Sequence, residues 1–152
     1  MKESQERLLQ LESCQWARCV GAMEASAGTC GSIEQIAGQL EDDPDEFLMP
    51  PYREPYESLC LLDHERAASL SCQVDSERAS RIARAAYLAT WQILPAPEVC
   101  GLVSDDAETL ATLLLAGAEL TPFSRDRLGW YLAGRIPFGY VGEYPEGRWI
   151  VL

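Results

Sequence analysis

SERASRIARAAYLATWQIL, residues 76–94, is the stretch that decides the fold class. Its apolar side chains recur every three or four residues, and this spacing predicts an amphipathic helix. The positions that form its apolar stripe, with alanines between them, are Ile82, Ala86 and Ile93. Asp75 or Ser76 can cap the start of the helix, and Pro95 ends it. A long helix with one small-residue face predicts packing against other helices.

Similar patterns predict further helices on both sides of this one. A helix over 3–25 has no proline within it, and Ser32, Ser104 and Ser124 each stand where a side chain caps a helix start. Gly117 and Gly134 stand where a helix ends. The helix predicted over 56–71 is expected to face inward with Leu59, Leu62 and Ala67 or Leu70. The predicted helices are 3–25, 33–40, 56–71, 105–116 and 125–133.

The C-terminal tail differs in character, because RIPFGYVGEYPEGRWIVL is rich in aromatic and β-branched residues. The turn sequence Tyr144-Pro145-Glu146-Gly147 predicts a β-hairpin with strands over about 139–144 and 148–152. The sequence therefore predicts a mainly α, single-domain helical bundle over 1–152. It has about five or six helices and a small C-terminal β-hairpin at 138–152.

Charge restricts the partners that the protein can bind. The chain has 152 residues and a formal net charge of −12. Affinity for nucleic acids and for anionic membranes comes from clustered Lys and Arg, so both partners are disfavoured. The N-terminus lacks the pattern of a signal peptide and no run of 18 apolar residues exists, so we expect a cytoplasmic protein. A basic protein partner suits the charge, although acidity can also serve solubility alone.

The acidity is most concentrated in EDDPDEFLMPPYREPYE, residues 41–57, a proline-rich segment with seven acids and one arginine. Its apolar residues either pack into the core, with Phe47, Leu48 and Met49 fixing the loop, or act as anchors inside an acidic rim. The residues predicted to contact a partner are Asp42, Asp43, Asp45, Glu46, Phe47, Tyr52 and Tyr56. Aromatic residues of the tail are secondary candidates, namely Tyr140, Tyr144 and Trp149.

Catalytic and metal-binding motifs are weak in this sequence. Cys60 and His64 share one face of a predicted helix, which suits a nucleophile and base or two metal ligands, but a surface histidine explains the pattern as well. The six cysteines lack a CxxC pair and are expected to be free thiols. Serine-nucleophile, dinucleotide and phosphate-loop motifs do not occur. We expect no catalytic residue, metal or cofactor.

Arg78, Arg81 and Arg84 step by three along the helix at 76–94. They can form a self-paired, solvated face with Asp75 and Glu77, grip an anionic group, or hold the acidic segment against the protein body.

These features favour a small acidic cytoplasmic binding protein over an enzyme. Its most concrete form is an inhibitor of the immunity or antitoxin type, which masks a basic partner such as a bacterial toxin. Two alternatives remain open. One is an enzyme or ligand-binding helical protein with a pocket near Cys60 and His64, and the other is an adaptor subunit whose hairpin adds a strand to its partner.

Overall fold

The computed structural model describes residues 2–14, 56–93, 95 and 97–132. Within these ranges the chain forms five α-helices, one short 3-10 helix and no strand, so the prediction of a mainly helical fold is confirmed for this part. The helices are α1 (Lys2–Glu12), α2 (Tyr56–Leu70), α3 (Ser76–Ile93), α4 (Pro97–Leu115) and α5 (Pro122–Leu132), and the 3-10 helix Ser71–Gln73 follows α2.

Helix α3 matches its prediction. The backbone N–H of Arg78 donates to Oδ1 of Asp75 at 3.1 Å, so Asp75 caps the helix as expected. Ile82 and Ala86 are buried with Ala79 and Ala83. These small residues let α3 lie close along α4, and the two helices form the most extensive contact between described elements.

Helix α4 begins earlier than predicted. Its first residue is Pro97, whose fixed φ and missing N–H suit the first turn of a helix, so the expected start after Ser104 is wrong. Ser104 lies inside α4 and its hydroxyl donates to the carbonyl of Ala83 on α3 at 3.1 Å. The side chain thus links two helices instead of capping one.

Helix α4 is the centre of the described fold, because it contacts α1, α2 and α3. Side chains on nearly all its faces are buried, as expected for a helix surrounded by others. The buried apolar residues of α4 are Cys100, Val103, Ala107, Leu110, Ala111, Leu113 and Leu114.

The end of α4 follows the predicted glycine stop. Gly117 adopts a left-handed conformation with φ of 63°. The N–H of Gly117 donates to the carbonyl of Leu114 and that of Ala118 to the carbonyl of Leu113, both at 3.0 Å. This pair of bonds is the Schellman motif, which satisfies carbonyls left over at a helix end.

Helix α5 also starts before its predicted cap. Pro122 is its first residue, and Oγ1 of Thr121 accepts the backbone N–H of Ser124 at 3.1 Å. Thr121 is therefore the cap, and the prediction for Ser124 is wrong. Ser124 is fully buried and its hydroxyl faces α2 instead.

Helices α1 and α2 are confirmed in part. Leu8 and Leu11 of α1 are buried as the spacing predicts, but α1 ends at Glu12, and residues 15–25 of the predicted helix lie outside the described residues. Ala67 of α2 is buried, whereas Leu62 is 60% exposed and does not face inward. In α2 the inward position next to Leu62 is occupied by Asp63.

Three predicted features lie outside the described residues: the helix over 33–40, the acidic segment 41–57 up to the start of α2, and the hairpin at 138–152. Within the residues that are described, none of the helices is both long and apolar enough to cross a membrane.

Candidate functional site

A buried arginine joins three helices. Arg127 on α5 has no exposed surface, and its Nη2 atom donates to Oδ2 of Asp63 on α2 at 2.8 Å. Its Nη1 atom donates to Oδ1 of Asp106 on α4. Both carboxylates are almost fully buried. Arg127 therefore connects α2 and α4 through two charged hydrogen bonds.

Hydroxyl groups complete the environment of the two carboxylates. Ser124 Oγ lies 2.7 Å from both oxygens of Asp63, and Tyr131 Oη donates to Oδ2 of Asp106 at 2.7 Å. Thr121 Oγ1 lies 2.8 Å from Ser124 Oγ. The guanidinium carbon of Arg127 also lies 4.8 Å from the ring centre of Phe123, within the range of a cation–π contact. We call Asp63, Asp106, Ser124, Arg127 and Tyr131 the ionic cluster.

The ionic cluster is suited to holding helices together rather than to binding a substrate. A site that binds substrate needs a surface through which substrate enters, and every member of the cluster has 3% or less of its surface exposed. Two carboxyl groups and one guanidinium are buried together, and buried charges are tolerated only where hydrogen bonds satisfy them. The cluster fixes how α2, α4 and α5 pack together.

An open cleft lies between α2 and α4. Its volume is about 290 Å³, and its walls come from α2, the 3-10 helix and α4. The polar residues that line the cleft are His64, Ser71, Asp105, Glu108, Thr109 and Thr112. We call this feature the α2–α4 cleft. Its polar side chains converge from α2, the 3-10 helix and α4 on one concave surface.

One carboxyl group of the cleft, that of Asp105, is less easily ionised than in water. Asp105 is exposed, yet partial desolvation of its carboxyl group raises its pKa above the ordinary value. Asp106 and Glu108 act in the same direction, while His64 opposes it. A cation entering the cleft would favour the ionised form of the Asp105 carboxyl group. The α2–α4 cleft is thus suited to a positively charged group.

The cleft offers less to a catalytic mechanism. A histidine near carboxylates can serve as acid or base, but nucleophilic catalysis also needs an available nucleophile. The hydroxyl of Ser71 donates to the carbonyl of Ala68 at 2.8 Å. Cys60 is absent from the cleft lining, and its Sγ atom lies 3.7 Å from Nη1 of Arg127. Cys60 and His64, one turn apart on α2, therefore border different features.

A second cavity of about 130 Å³ lies where α1 meets the end of α4 and the start of α5. Leu114 and Leu128 contribute its apolar wall, and Arg7 and Arg125 are matched by Glu3 and Glu119. Because charges of both signs surround so small a volume, the cavity selects no class of ligand.

The predicted arginine stripe on α3 divides into different environments. Arg78 forms a two-point ion pair with Glu12 on α1, including Nη2 to Oε2 at 2.9 Å. Arg81 lies 3.6 Å from Glu77, as the self-paired interpretation predicts, and both side chains are exposed. Arg84 is exposed too. Of these three arginines, Arg78 is the one that joins two helices within the described ranges.

Most residues predicted to contact a partner remain predictions. Asp42, Asp43, Asp45, Glu46, Phe47 and Tyr52 lie outside the described residues, as do Tyr140, Tyr144 and Trp149. Tyr56 is the first residue of α2.

Sequence reasoning missed the ionic cluster; of the pocket predicted near Cys60 and His64, the structure places His64, but not Cys60, at the α2–α4 cleft. One local signal for the cluster exists: Arg127 has Phe123 four residues before it and Tyr131 four residues after it, on one face of α5. A cation between two aromatic residues at helical spacing indicates a buried charge. The acids that pair with it, Asp63 and Asp106, follow no such pattern.

Comparisons with models of protein families, with curated protein sequences and with solved structures found no match. Among the described residues, no group of three or more His, Cys, Asp or Glu side chains is placed to hold a metal ion.

Proposed function

We propose that this protein is a binding protein that masks a basic protein partner, as an inhibitor or immunity-type protein masks a toxin. The α2–α4 cleft would receive a basic side chain of that partner. The observation that carries this proposal is the pair Asp105 and Glu108 in an open cleft, in a chain with a net charge of −12.

The shape of the cleft supports binding through a side chain. A volume of about 290 Å³ is large enough for an arginine or lysine side chain but at the lower limit for a drug-sized ligand. The hydroxyl-bearing residues Thr109 and Thr112 add hydrogen-bonding capacity beside the carboxylates. Arginine can satisfy both kinds of group, because its guanidinium has five donors.

Exposed apolar surface borders the cleft. Leu61 is 58% exposed, and it lies seven residues before Ala68, which lines the cleft. Residues seven apart on a helix share a face. An apolar side chain beside a charged pocket is a common arrangement at protein interfaces, where apolar contacts contribute affinity and charges contribute specificity. The acidic segment 41–57 remains a predicted second contact.

The proposal is tested by isolating the partner with the whole protein as bait and measuring the affinity of the purified pair. We expect a partner of basic isoelectric point whose own activity falls when it is bound. The association rate should decrease steeply as salt is added, because complementary charges accelerate the encounter.

Two matched double variants locate the contact. Asp105→Asn with Glu108→Gln neutralises the cleft, and Glu6→Gln with Glu119→Gln removes the same charge from exposed positions elsewhere. We expect the first pair to weaken binding by about tenfold or more, the loss typical of interface contacts that cost over 1 kcal/mol. Equal affinities for both pairs would exclude the cleft as the interface.

The acidic segment is tested separately. Charge reversal of Asp42, Asp43, Asp45 and Glu46 should slow association further if the segment contacts the partner. An unchanged rate would remove the segment from the interface and leave the cleft as the remaining candidate. Turnover of a small substrate, lost on substitution of His64, would instead favour the enzyme alternative.

A further inference from the structure

The outward side of α3 carries a seam of four large exposed residues. Arg81, Arg84, Leu88 and Trp91 are separated by three, four and three residues, which is the spacing that keeps side chains on one line of a helix. Leu88 is 49% exposed and Trp91 42% exposed. We call these four residues the α3 seam.

The α3 seam lies opposite the part of α3 that builds the fold. Ala79, Ile82, Ala83, Ala86 and Thr90 are buried on the inward side, where α3 contacts α4. The described residues thus use one side of the helix for packing and leave large apolar side chains on the other.

Trp91 is held in position before any partner arrives. The ring of Tyr87 stacks on that of Trp91, with centroids 6.3 Å apart and planes 10° from parallel. Stacking restricts the indole ring, so less conformational entropy is lost when a partner contacts it. Tryptophan and arginine are also the residues most enriched among strong interface contacts.

The charges of the seam select the occupant. Arg81 and Arg84 make its first half basic, in a chain that is acidic as a whole. The Glu77–Arg81 pair spans 3.6 Å between exposed side chains, and pairs of that kind contribute little. Both arginines therefore remain able to pair with acidic groups of another molecule.

A second copy of this chain fits the seam poorly. Parallel pairing of two α3 helices would bring each arginine against its equivalent. Like charges in such a contact disfavour it. Antiparallel pairing about Ala86 would place Arg84 opposite Leu88 and Arg81 opposite Trp91 of the second copy, which offers neither guanidinium an acidic partner.

We propose that the α3 seam docks an amphipathic helix of a protein partner. That helix has acidic side chains opposite Arg81 and Arg84 and apolar side chains opposite Leu88 and Trp91. This surface differs in charge from the α2–α4 cleft, and the proposal does not depend on the function proposed above.

Designed helical peptides provide the probe. One peptide has two glutamates in the first half of its contact face and two leucines in the second half. A second peptide has the leucines first and the glutamates second. Each has a counterpart in which lysines replace the glutamates. Binding to the whole protein is measured by isothermal titration and by amide chemical shifts. We expect one glutamate peptide to bind about tenfold more tightly than its lysine counterpart and to shift the signals of 81–91.

Variants then test each half of the seam. Arg81→Glu with Arg84→Glu should reverse the preference, so that the lysine peptide binds more tightly. Leu88→Ser with Trp91→Ser should weaken binding about tenfold or more. The matched control, Leu9→Ser with Arg125→Glu, changes an exposed leucine and an exposed arginine elsewhere and should leave binding unchanged.

Other occupants would give different results and would overturn the proposal. A dimer seen by sedimentation that Leu88→Ser with Trp91→Ser abolishes would identify a second copy as the occupant. A fall of the unfolding midpoint in that variant well beyond the loss of the Tyr87–Trp91 stack and of helix propensity, without any peptide, would show that the chain covers its own seam. Equal binding of glutamate and lysine peptides would remove the charge selection on which the proposal rests.

Discussion

Nη2 of Arg127 lies 2.8 Å from Oδ2 of Asp63, and both side chains are buried. The contact joins residues that are 64 positions apart, on α5 and α2. A buried ion pair stabilises a fold less than its Coulomb attraction suggests, because both charges lose their hydration. Its effect is clearer when one partner is removed, since the remaining charge then has no compensation.

Arg127→Met should therefore destabilise the protein strongly. The substitution leaves the carboxylates of Asp63 and Asp106 buried without their cation, at a cost of about 3–5 kcal/mol. Denaturant unfolding followed by circular dichroism measures the loss. Arg125→Met is the matched control, because Arg125 is exposed on the same helix, and it should change stability by less than about 0.5 kcal/mol. Equal effects of both substitutions would contradict the structural role of the cluster.

If Arg127→Met does not fold, Asp63→Asn still allows the contribution of the ionic cluster to stability to be measured. It leaves one carboxylate for one guanidinium, and the remaining Asp106 still pairs with Arg127. We expect a smaller loss of stability than for Arg127→Met. A larger loss would mean that the hydrogen bonds around Asp63 matter more than the balance of charge.

The sequence indicates helices well where the signals are local. Asp75, the apolar residues of α3 and the left-handed Gly117 act within one or two turns, so their roles could be predicted. The starts of α4 and α5 could not, because serines that resemble caps bond across to other elements. Pro97 and Pro122, first residues of their helices, were the better local signals.

The candidate site was less predictable than the fold, because it depends on which helices meet. His64 and Asp105 are 41 positions apart and line the same cleft only because α2 packs on α4. Acidic composition favours a basic partner, and the acids are densest along the chain at residues 41–57. Density in sequence does not reveal which acids converge in space.

The ion pair between Glu12 and Arg78 makes stability depend on pH. The hydrogen bond from Arg78 lowers the pKa of Glu12 below its ordinary value of 4.5. A lowered acid pKa contributes stability above the unfolded value, and that stability is lost as pH falls through the folded value. Glu12→Gln should cost about 0.5–1 kcal/mol at pH 7, and the difference should shrink below pH 4.5. Glu77→Gln, which alters a looser pair, should have less effect at either pH; an equal effect would contradict the prediction.

Gly117 and Gly129 should respond to alanine in opposite directions. A Cβ at either position meets open space, so the backbone alone decides. Gly117 has φ of 63°, where alanine costs about 1–2 kcal/mol. Gly129 lies inside α5, where alanine gains about 0.5–1 kcal/mol. Thermal unfolding should show a lower midpoint for Gly117→Ala and a higher one for Gly129→Ala. Two shifts of the same sign would exclude the Schellman end of α4.

Asp105 should stabilise the fold less than asparagine does at the same position. Its raised pKa means that the folded protein disfavours the ionised carboxylate, so the ionised group lowers stability at neutral pH. Asp105→Asn should therefore raise the denaturant midpoint at pH 7. The gain should fade as pH drops through the raised folded value and vanish below the ordinary value of 3.8.

Glu65→Gln, which removes one exposed charge of the same sign from α2, controls for the general relief of net charge and should have a smaller effect. If the α2–α4 cleft is the binding surface proposed above, Asp105→Asn should also weaken capture of the proposed basic partner. Unchanged stability of Asp105→Asn at pH 7 would show that the fold does not disfavour the ionised Asp105 carboxylate.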